Sequence, residues 1–314
     1  MKTKYIFRTA LALAAVLAMG CSGESSTTSA EGEATVPESS ADVVVPTSSE
    51  AVILSSSDMA LLSSSSVEPV TYAYYGAELT GRDQFTYGRF EARMKMLSIP
   101  GSVSSMFLYY DPSSLLGKQP WNEIDIEVLG KTDTSWQSNL ITRYPNDTLE
   151  NGTVKRNTKI TSELKHPFGF GATEDFHLFA LVWTPEYISW EIDSVEIRRD
   201  TVGMEKGQVE FMTQQQSLRF NVWASKSQAW VGKFTGDELA DGPKIQYIDY
   251  VRVYKYDEAT KGFTLDWQDD FDGDDLDDNH WSRGAWEMEK VMLRQENLVV
   301  KDGMAQLMLS REVE

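Results

Sequence analysis

Three carboxylates alternate with apolar residues in the stretch WNEIDIEV, which covers residues 121–128. A β-strand sends successive side chains to opposite faces, so Glu123, Asp125 and Glu127 share one face of the predicted strand. The apolar side chains between them occupy the other face and can enter a core. An acidic face is costly to bury, and we therefore expect it to line a wet cleft.

Two carboxylates that flank the same scissile bond can act as nucleophile and general acid. Strand positions two apart are roughly 6.5–7 Å apart at Cα, so Glu123 and Glu127 must lean inward over Asp125. A carboxyl separation of about 5–5.5 Å is the one used by retaining glycosidases. Three acids this close cannot all ionise freely, so at least one pKa should rise. The alternative interpretation is an exposed acidic strand face with no chemistry.

Composition narrows the class of ligand. The chain has 314 residues and a net charge of -19, which argues against nucleic acid and anionic membrane surfaces as partners. Nine tryptophans in an acidic protein are typical of sugar stacking, although most buried tryptophans are core residues. The single cysteine, Cys21, excludes an intrachain disulfide. We expect a neutral ligand and a monomer.

The first seventy residues predict export and a tether. Residues 1–21 combine three early basic residues, a short apolar run and Gly20-Cys21, which is the pattern of a secretory signal. Residues 17–21 resemble a bacterial lipobox, so Cys21 is the expected site of lipidation. Ser22 favours an outer-membrane lipoprotein at the cell surface, and a secreted protein is the alternative. The Ser- and Thr-rich residues 22–70 predict a flexible linker before a catalytic domain at 71–314.

From Tyr72 onward, short alternating segments predict an all-β sandwich or jelly roll. Several of these strands have one apolar face and one face of acids, amides, arginine and aromatic rings. Residues 218–225 show the pattern clearly, with Arg219, Asn221 and Trp223 opposite an apolar set. Rings stack on pyranose faces and polar groups hold hydroxyls, so such a sheet predicts a sugar-binding cleft.

Two motifs carry a family resemblance. The run from Trp121 to Gly130 (WNEIDIEVLG) closely resembles the active-site strand of glycoside hydrolase family sixteen, and residues 87–95 (YGRFEARMK) resemble the strand before it. No residue is inserted between Ile126 and Glu127, which resembles the lichenase branch, whereas laminarinases of the family typically have a Met there. The segment WQDDFDG at 267–273 comes last. This order resembles the circularly permuted, Fibrobacter-type lichenases, and the resemblance implies a permuted β-jelly roll with a concave substrate cleft.

The resemblance implies a role for each acid: Glu123 as nucleophile, Glu127 as general acid/base, and Asp125 as the residue that holds the proton balance between them. It also implies a set of subsite residues, in which Asp111 stands where an Asn is expected and Asn122 is an unusual neighbour. The implied substrate-binding residues are Phe107, Tyr109, Asp111, Trp121, Gln137, Asn139, Arg219, Asn221, Trp223, Trp230 and Trp286.

The resemblance further implies a structural calcium ion on the convex side, held by Asp249 with carbonyl oxygens near Asp270 and Gly303. An acidic turn without metal is the alternative. No cofactor is expected for catalysis. The expected activity is retaining endo-hydrolysis of mixed-linkage 1,3-1,4-β-glucan. A 1,3-β-glucanase and a non-catalytic glycan-binding lipoprotein are the alternatives.

Overall fold

The structure is a computed structural model that describes residues 70–111, 120–143, 147–148, 154–155, 159–204 and 208–314. The predicted signal with Cys21 and, apart from Val70, the predicted linker lie outside these residues. Across the described ranges the only α-helix is the four-residue α1 (Gln228–Val231). Nothing helical in this part of the chain has the length and apolar character needed to cross a membrane.

Strands follow one another along the described chain, with 3₁₀ turns at Val209–Phe211, Asp237–Leu239 and Gln295–Asn297. The strands of the first half are β1 (Tyr72–Gly81), β2 (Gly88–Lys95), β3 (Ser102–Tyr109), β4 (Trp121–Leu129), β5 (Ser135–Arg143), β6 (Asp147–Thr148), β7 (Val154–Lys155), β8 (Lys159–Thr161), β9 (Leu164–Pro167) and β10 (His177–Trp183). Those of the second half are β11 (Tyr187–Ile192), β12 (Val195–Thr201), β13 (Ser217–Ala224), β14 (Lys244–Asp257), β15 (Gly262–Asp269), β16 (Trp281–Arg283), β17 (Glu287–Met288), β18 (Val291–Leu293), β19 (Leu298–Lys301) and β20 (Met304–Val313).

The strands form two layers. In the first, β1, β13, β3, β4 and β5 pair antiparallel in that order, and β8 and β9 both pair with β5. In the second, β12, β11, β10, β2 and β14 pair in that order, and β14 continues to β15 and β20. The first half of β1 pairs with β20 and its second half with β13, so one strand joins the two layers.

The core lies between the layers, and β4 contributes its apolar face to it. Ile124, Ile126 and Val128 are completely buried, and each such side chain contributes about 1.5–3 kcal/mol relative to an exposed position. A hydrogen bond also crosses the sandwich, because the indole Nε1 of buried Trp190 on β11 donates to the backbone oxygen of Asp125 at 2.9 Å. The core and this hydrogen bond thus fix the distance of β4 from the opposite layer.

Gly130 lets β4 end against a neighbouring turn. A Cβ at this position would lie 1.7 Å from the backbone oxygen of Ile99, so only glycine fits. The close approach allows the Gly130 N–H to bond the Ser102 carbonyl at 2.8 Å, at the start of β3. The glycine of the motif therefore keeps β3 and β4 in register at this end of the sheet.

The all-β jelly-roll sandwich predicted from the sequence is confirmed. The strands that follow residues 267–273 complete both layers, since β16 pairs with β1 while β20 pairs with β1 and β14. The circular permutation itself stays a prediction.

Candidate active site

The three acids of β4 line one cavity of about 560 Å³. Strand alternation places them there, since the residues between them enter the core. Asp125, at the centre, is 4% exposed, whereas Glu123 and Glu127 on either side are half-buried. The predicted acidic face is thus the floor of a cleft and not a freely solvated strand surface.

Register with the neighbouring strands decides what each acid meets. Asp125 lies between Phe107 of β3 and Asn139 of β5. Glu127 lies in the same way between Ser105 and Gln137. Directly paired residues of neighbouring strands share a face, so Asp125 and Glu127 are flanked by polar or aromatic side chains, whereas Glu123 lies between Tyr109 and the apolar Ile141.

Glu123 is held by a neighbour on its own strand. The indole Nε1 of Trp121 donates to its Oε2 at 2.5 Å, and the Asp125 carboxyl also hydrogen-bonds to Glu123. Burial raises the pKa of Glu123, while both hydrogen bonds and the charge of Lys159 oppose that rise because they favour the ionised form. A carboxylate that accepts these bonds has a fixed orientation, which a nucleophile requires.

Asp125 is the acid that keeps its proton. Burial, followed by the charges of Glu123 and Glu127, raises its pKa well above the usual range. The hydrogen bond with Glu123 favours the protonated form of Asp125, which makes Asp125 the donor. A neutral Asp125 separates the two glutamates without adding a charge of its own.

Glu127 is the acid that titrates near neutrality. Burial, and then the charge of Glu123, raises its pKa to about 8, while a hydrogen bond from Gln137 Nε2 at 2.8 Å opposes the rise. At neutral pH the group is protonated, yet it can also release its proton. This is the property required of a general acid that later acts as a base.

Most of the predicted substrate-binding residues line the cavity with the three acids. The charged pair among them is Arg219 with Asp111, whose Nη2 and Oδ2 atoms are 3.0 Å apart. Asp111, which stands where the resemblance implies Asn, is thus tied to the neighbouring strand. The predicted residues that line the cavity are Phe107, Tyr109, Asp111, Trp121, Arg219, Asn221, Trp223 and Trp286.

Three predicted substrate-binding residues lie outside the cavity lining. Gln137 holds Glu127, and Trp230 Nε1 donates to Gln137 Oε1 at 3.4 Å. Asn139 Oδ1 accepts the Ser162 N–H at 3.1 Å. Gln137 and Asn139 lie on the strand beside the acids and Trp230 lies on α1, and protein groups already occupy their polar atoms, so these residues support the site from its side.

The cavity lining also includes Glu78, Ser105 and Met288, which were not predicted. Glu78 is 2% exposed and accepts hydrogen bonds from Arg219 Nη1 at 3.4 Å and Asn221 Nδ2 at 3.3 Å. Burial raises its pKa despite the neighbouring Arg219. The signal was the alternation of β1, where Glu78 stands between buried apolar residues just as the acids of β4 do.

The residues implied for calcium have other partners. Asp249 Oδ2 accepts Arg93 Nη1 at 2.7 Å, and Asp270 Oδ2 accepts the Gln268 amide at 3.1 Å. Over the ranges that the structure covers, no three His, Cys, Asp or Glu residues come together as a metal site. Asp249 keeps one further carboxylate oxygen, and Gly303 has a left-handed backbone (φ 69°). This donor set does not make a calcium site as it stands, and calcium stays a prediction.

Comparison with known proteins agrees with this geometry. A beta-glucanase of Fibrobacter succinogenes is 42% identical over 245 residues, which are 76% of this chain and 64% of that protein. A beta-glucanase of Acetivibrio thermocellus is 32% identical over 185 residues, 59% of this chain and 47% of that protein. The chain thus spans less than two thirds of either relative.

Among solved structures, a prokaryotic beta-1,3-1,4-glucanase (lichenase) from a mouse hindgut metagenome is 28% identical with a TM-score of 0.39, over 52% of this chain and 72% of that chain. The family profile of Glycosyl hydrolases family 16 matches residues 39–247, which is more than half of the sequence. The chain therefore belongs to family 16 of the glycosyl hydrolases.

Proposed function

We propose that the protein hydrolyses mixed-linkage 1,3-1,4-β-glucan internally, with retention at the anomeric carbon. The observation that carries this proposal is geometric: three acids of one strand line one cavity, with Asp125 between Glu127 and Glu123, which is held by Trp121. The two relatives named beta-glucanase support β-glucan as the substrate class.

The mechanism is a double displacement. Glu123 attacks the anomeric carbon while Glu127 gives its proton to the departing glycosidic oxygen, which forms a glycosyl ester on Glu123. The Glu127 carboxylate then takes a proton from water, and the resulting hydroxide equivalent breaks the ester. This step restores the proton on Glu127 and the charge on Glu123. Asp125 donates a hydrogen bond to Glu123 and stabilises that charge between turnovers.

The first experiment compares new reducing ends released from barley β-glucan and from laminarin by residues 71–314. Preferential release from barley β-glucan supports the proposal. Equal or greater release from laminarin would reassign the protein as a 1,3-β-glucanase. Binding to either glucan without new reducing ends would make it a glycan-binding protein.

The second experiment tests the role of Glu123. The Glu123→Ala variant should lose activity, and azide should restore part of it by attacking the anomeric carbon in place of the carboxylate. The product would be a glycosyl azide of inverted configuration. Unchanged activity in Glu123→Ala would remove the nucleophile from the scheme.

We further propose that residues 1–21 are a lipoprotein signal, that Cys21 is lipidated, and that the linker 22–70 displays a monomeric catalytic domain at the surface of the outer membrane. The signal-like composition and the lipobox-like residues support this proposal. Cys21→Ser should move the protein from the membrane fraction to the soluble fraction. An unchanged distribution would contradict lipidation.

A further inference from the structure

Trp121 forms one wall of the cleft, and two cations lie over its ring. The register of β4, β5 and β8 pairs Trp121 with Arg143 and Arg143 with Lys159, which puts all three in one row. The Arg143 guanidinium carbon is 4.7 Å from the Trp121 ring centroid, and Lys159 Nζ is 4.2 Å from it. Both distances are within the range of a cation–π contact.

The two cations lie beside Trp121 on the same face of the sheet, outside the lining of the cavity. Trp121 lines the cavity, but Arg143 and Lys159 do not. Throughout the described ranges, neither cation forms an ion pair with a carboxylate, although the chain has 48 acidic residues. The main described contact of both side chains is therefore the indole ring.

The indole in turn connects these cations to the nucleophile. Its Nε1 reaches Glu123 Oε2 at 2.5 Å, and its ring meets Tyr109 edge-on with centroids 6.4 Å apart. A tilt of the ring would break the bond to Glu123, since hydrogen bonds weaken steeply when they are misaligned. Two cations on the ring and one edge contact restrict that tilt.

We infer that Arg143 and Lys159 are positioning residues: they clamp the Trp121 indole and, through its N–H, hold the Glu123 carboxylate in its attacking orientation. The inference rests on the proposed function and adds to it residues that do not touch the substrate.

The charge of Lys159 acts in the same direction as the clamp. It favours the ionised forms of all three acids, and so lowers the pKa values of Glu123, Asp125 and Glu127 against the effect of burial. Removal of this charge should therefore move both limbs of the pH profile to higher pH. The charged and titratable groups that act on Glu123 are Asp125 and Glu127 on its own strand and Tyr109, Arg219 and Lys159 on the surrounding strands.

The test uses Lys159→Met, which keeps the length of the side chain, Lys159→Arg, which keeps the cation, and Arg143→Met. Rates on barley β-glucan are measured across the pH profile. Lys159→Met should lower kcat about tenfold with KM within about twofold, because the lost alignment matters for attack more than for binding. Both pH limbs should rise by about half a unit or more. Lys159→Arg should restore them, and Arg143→Met should lower kcat in the same way.

The matched control is Lys255→Met. Lys255 is an exposed lysine on β14 paired with Asp266, and the change should leave kcat and both limbs as in the wild type. Thermal unfolding of each variant shows whether it is folded. If Lys159→Met leaves the limbs and kcat unchanged, the inference is wrong. If only KM changes, the two cations bind glycan and do not position Trp121.

A readout without turnover separates the inference from the proposed function. The indole N–H resonance of Trp121, assigned by its loss in Trp121→Phe, should follow the titration of Glu123 and shift in Lys159→Met. If the wild type cuts no β-glucan but this resonance still shifts, the proposed function fails and the clamp stands. If the enzyme is active and the resonance does not respond, the clamp fails alone.

Discussion

Replacement of Glu127 by glutamine should make the protein more stable at neutral pH while it removes activity. In the native protein the pKa of Glu127 is raised from its ordinary value of 4.5 to about 8. A carboxyl with a raised folded-state pKa contributes stability that is fully present below the unfolded pKa and is lost as pH rises towards the folded one. Wild-type stability should therefore fall between about pH 5 and about pH 8.

The expected magnitude follows from linkage. Each pH unit in this window costs about 1.4 kcal/mol per proton that the unfolded chain releases and the native protein keeps. From about pH 5 to about pH 7 the free energy of unfolding should fall by about 2–3 kcal/mol. The upper value applies where water does not screen the half-buried carboxyl group. For a domain of this size, that is a Tm difference on the order of 5–10 °C. The amide that replaces the carboxyl in Glu127→Gln has no proton to lose, and its carbonyl can still accept from Gln137.

The assay is thermal unfolding of wild type and Glu127→Gln at several pH values, with Glu258→Gln as the control. Glu258 is exposed in the turn after β14, so its change should leave the pH dependence of Tm as in the wild type. The two Tm curves of wild type and Glu127→Gln should diverge as pH rises. If they run parallel, Glu127 is already ionised in the native protein, and the reasoning that makes it the general acid is refuted.

Three further perturbations test separate contacts. Gln137→Leu removes the hydrogen-bond donor to Glu127 Oε2, which should raise the pKa of Glu127 and move the basic limb of the kcat/KM pH profile to higher pH by up to about one unit. An unmoved limb would show that this bond does not affect the pKa of Glu127. Asn122→Leu leaves the N–H groups of Thr213 and Gln214 without their acceptor and should cost about 2–4 kcal/mol in urea unfolding, whereas exposed Asn279→Leu should cost almost nothing. The calcium prediction, which the described donor set does not support by itself, implies that calcium at about a hundredfold excess over Kd adds about 2.7 kcal/mol to the stability of the chelator-treated protein, and an unchanged Tm would contradict it.

Alternation along single strands was the most informative property of the sequence. The predicted strands 121–128 and 218–225 lie within one residue of β4 and β13 at each end. Both stretches alternate apolar side chains with polar or aromatic ones, so their type and their faces can be read from local residues alone. The same alternation places the three acids on one face of the strand.

Contacts between strands distant in sequence could not be read in this way. Glu78 meets Arg219 because β1 pairs with β13, and the two residues are 141 positions apart. Asn122 belongs to the core face of β4, where the pattern predicts an apolar residue, yet it is 1% exposed and holds the backbone at residues 211–214. Strand pairing determines the first contact and the path of the loop before β13 determines the second, and neither can be read from one strand alone.

The bond from Trp190 to the Asp125 carbonyl ties the chemistry to the opposite layer of the sandwich. The acids of β4 cannot keep their alignment if the far sheet drifts away, because their own backbone is anchored to a ring that belongs to it. Heating that loosens the packing of Trp190 should therefore abolish activity before the β-sheets unfold. Thermal inactivation would then follow the near-ultraviolet signal of the tryptophans and precede the loss of the far-ultraviolet β signal.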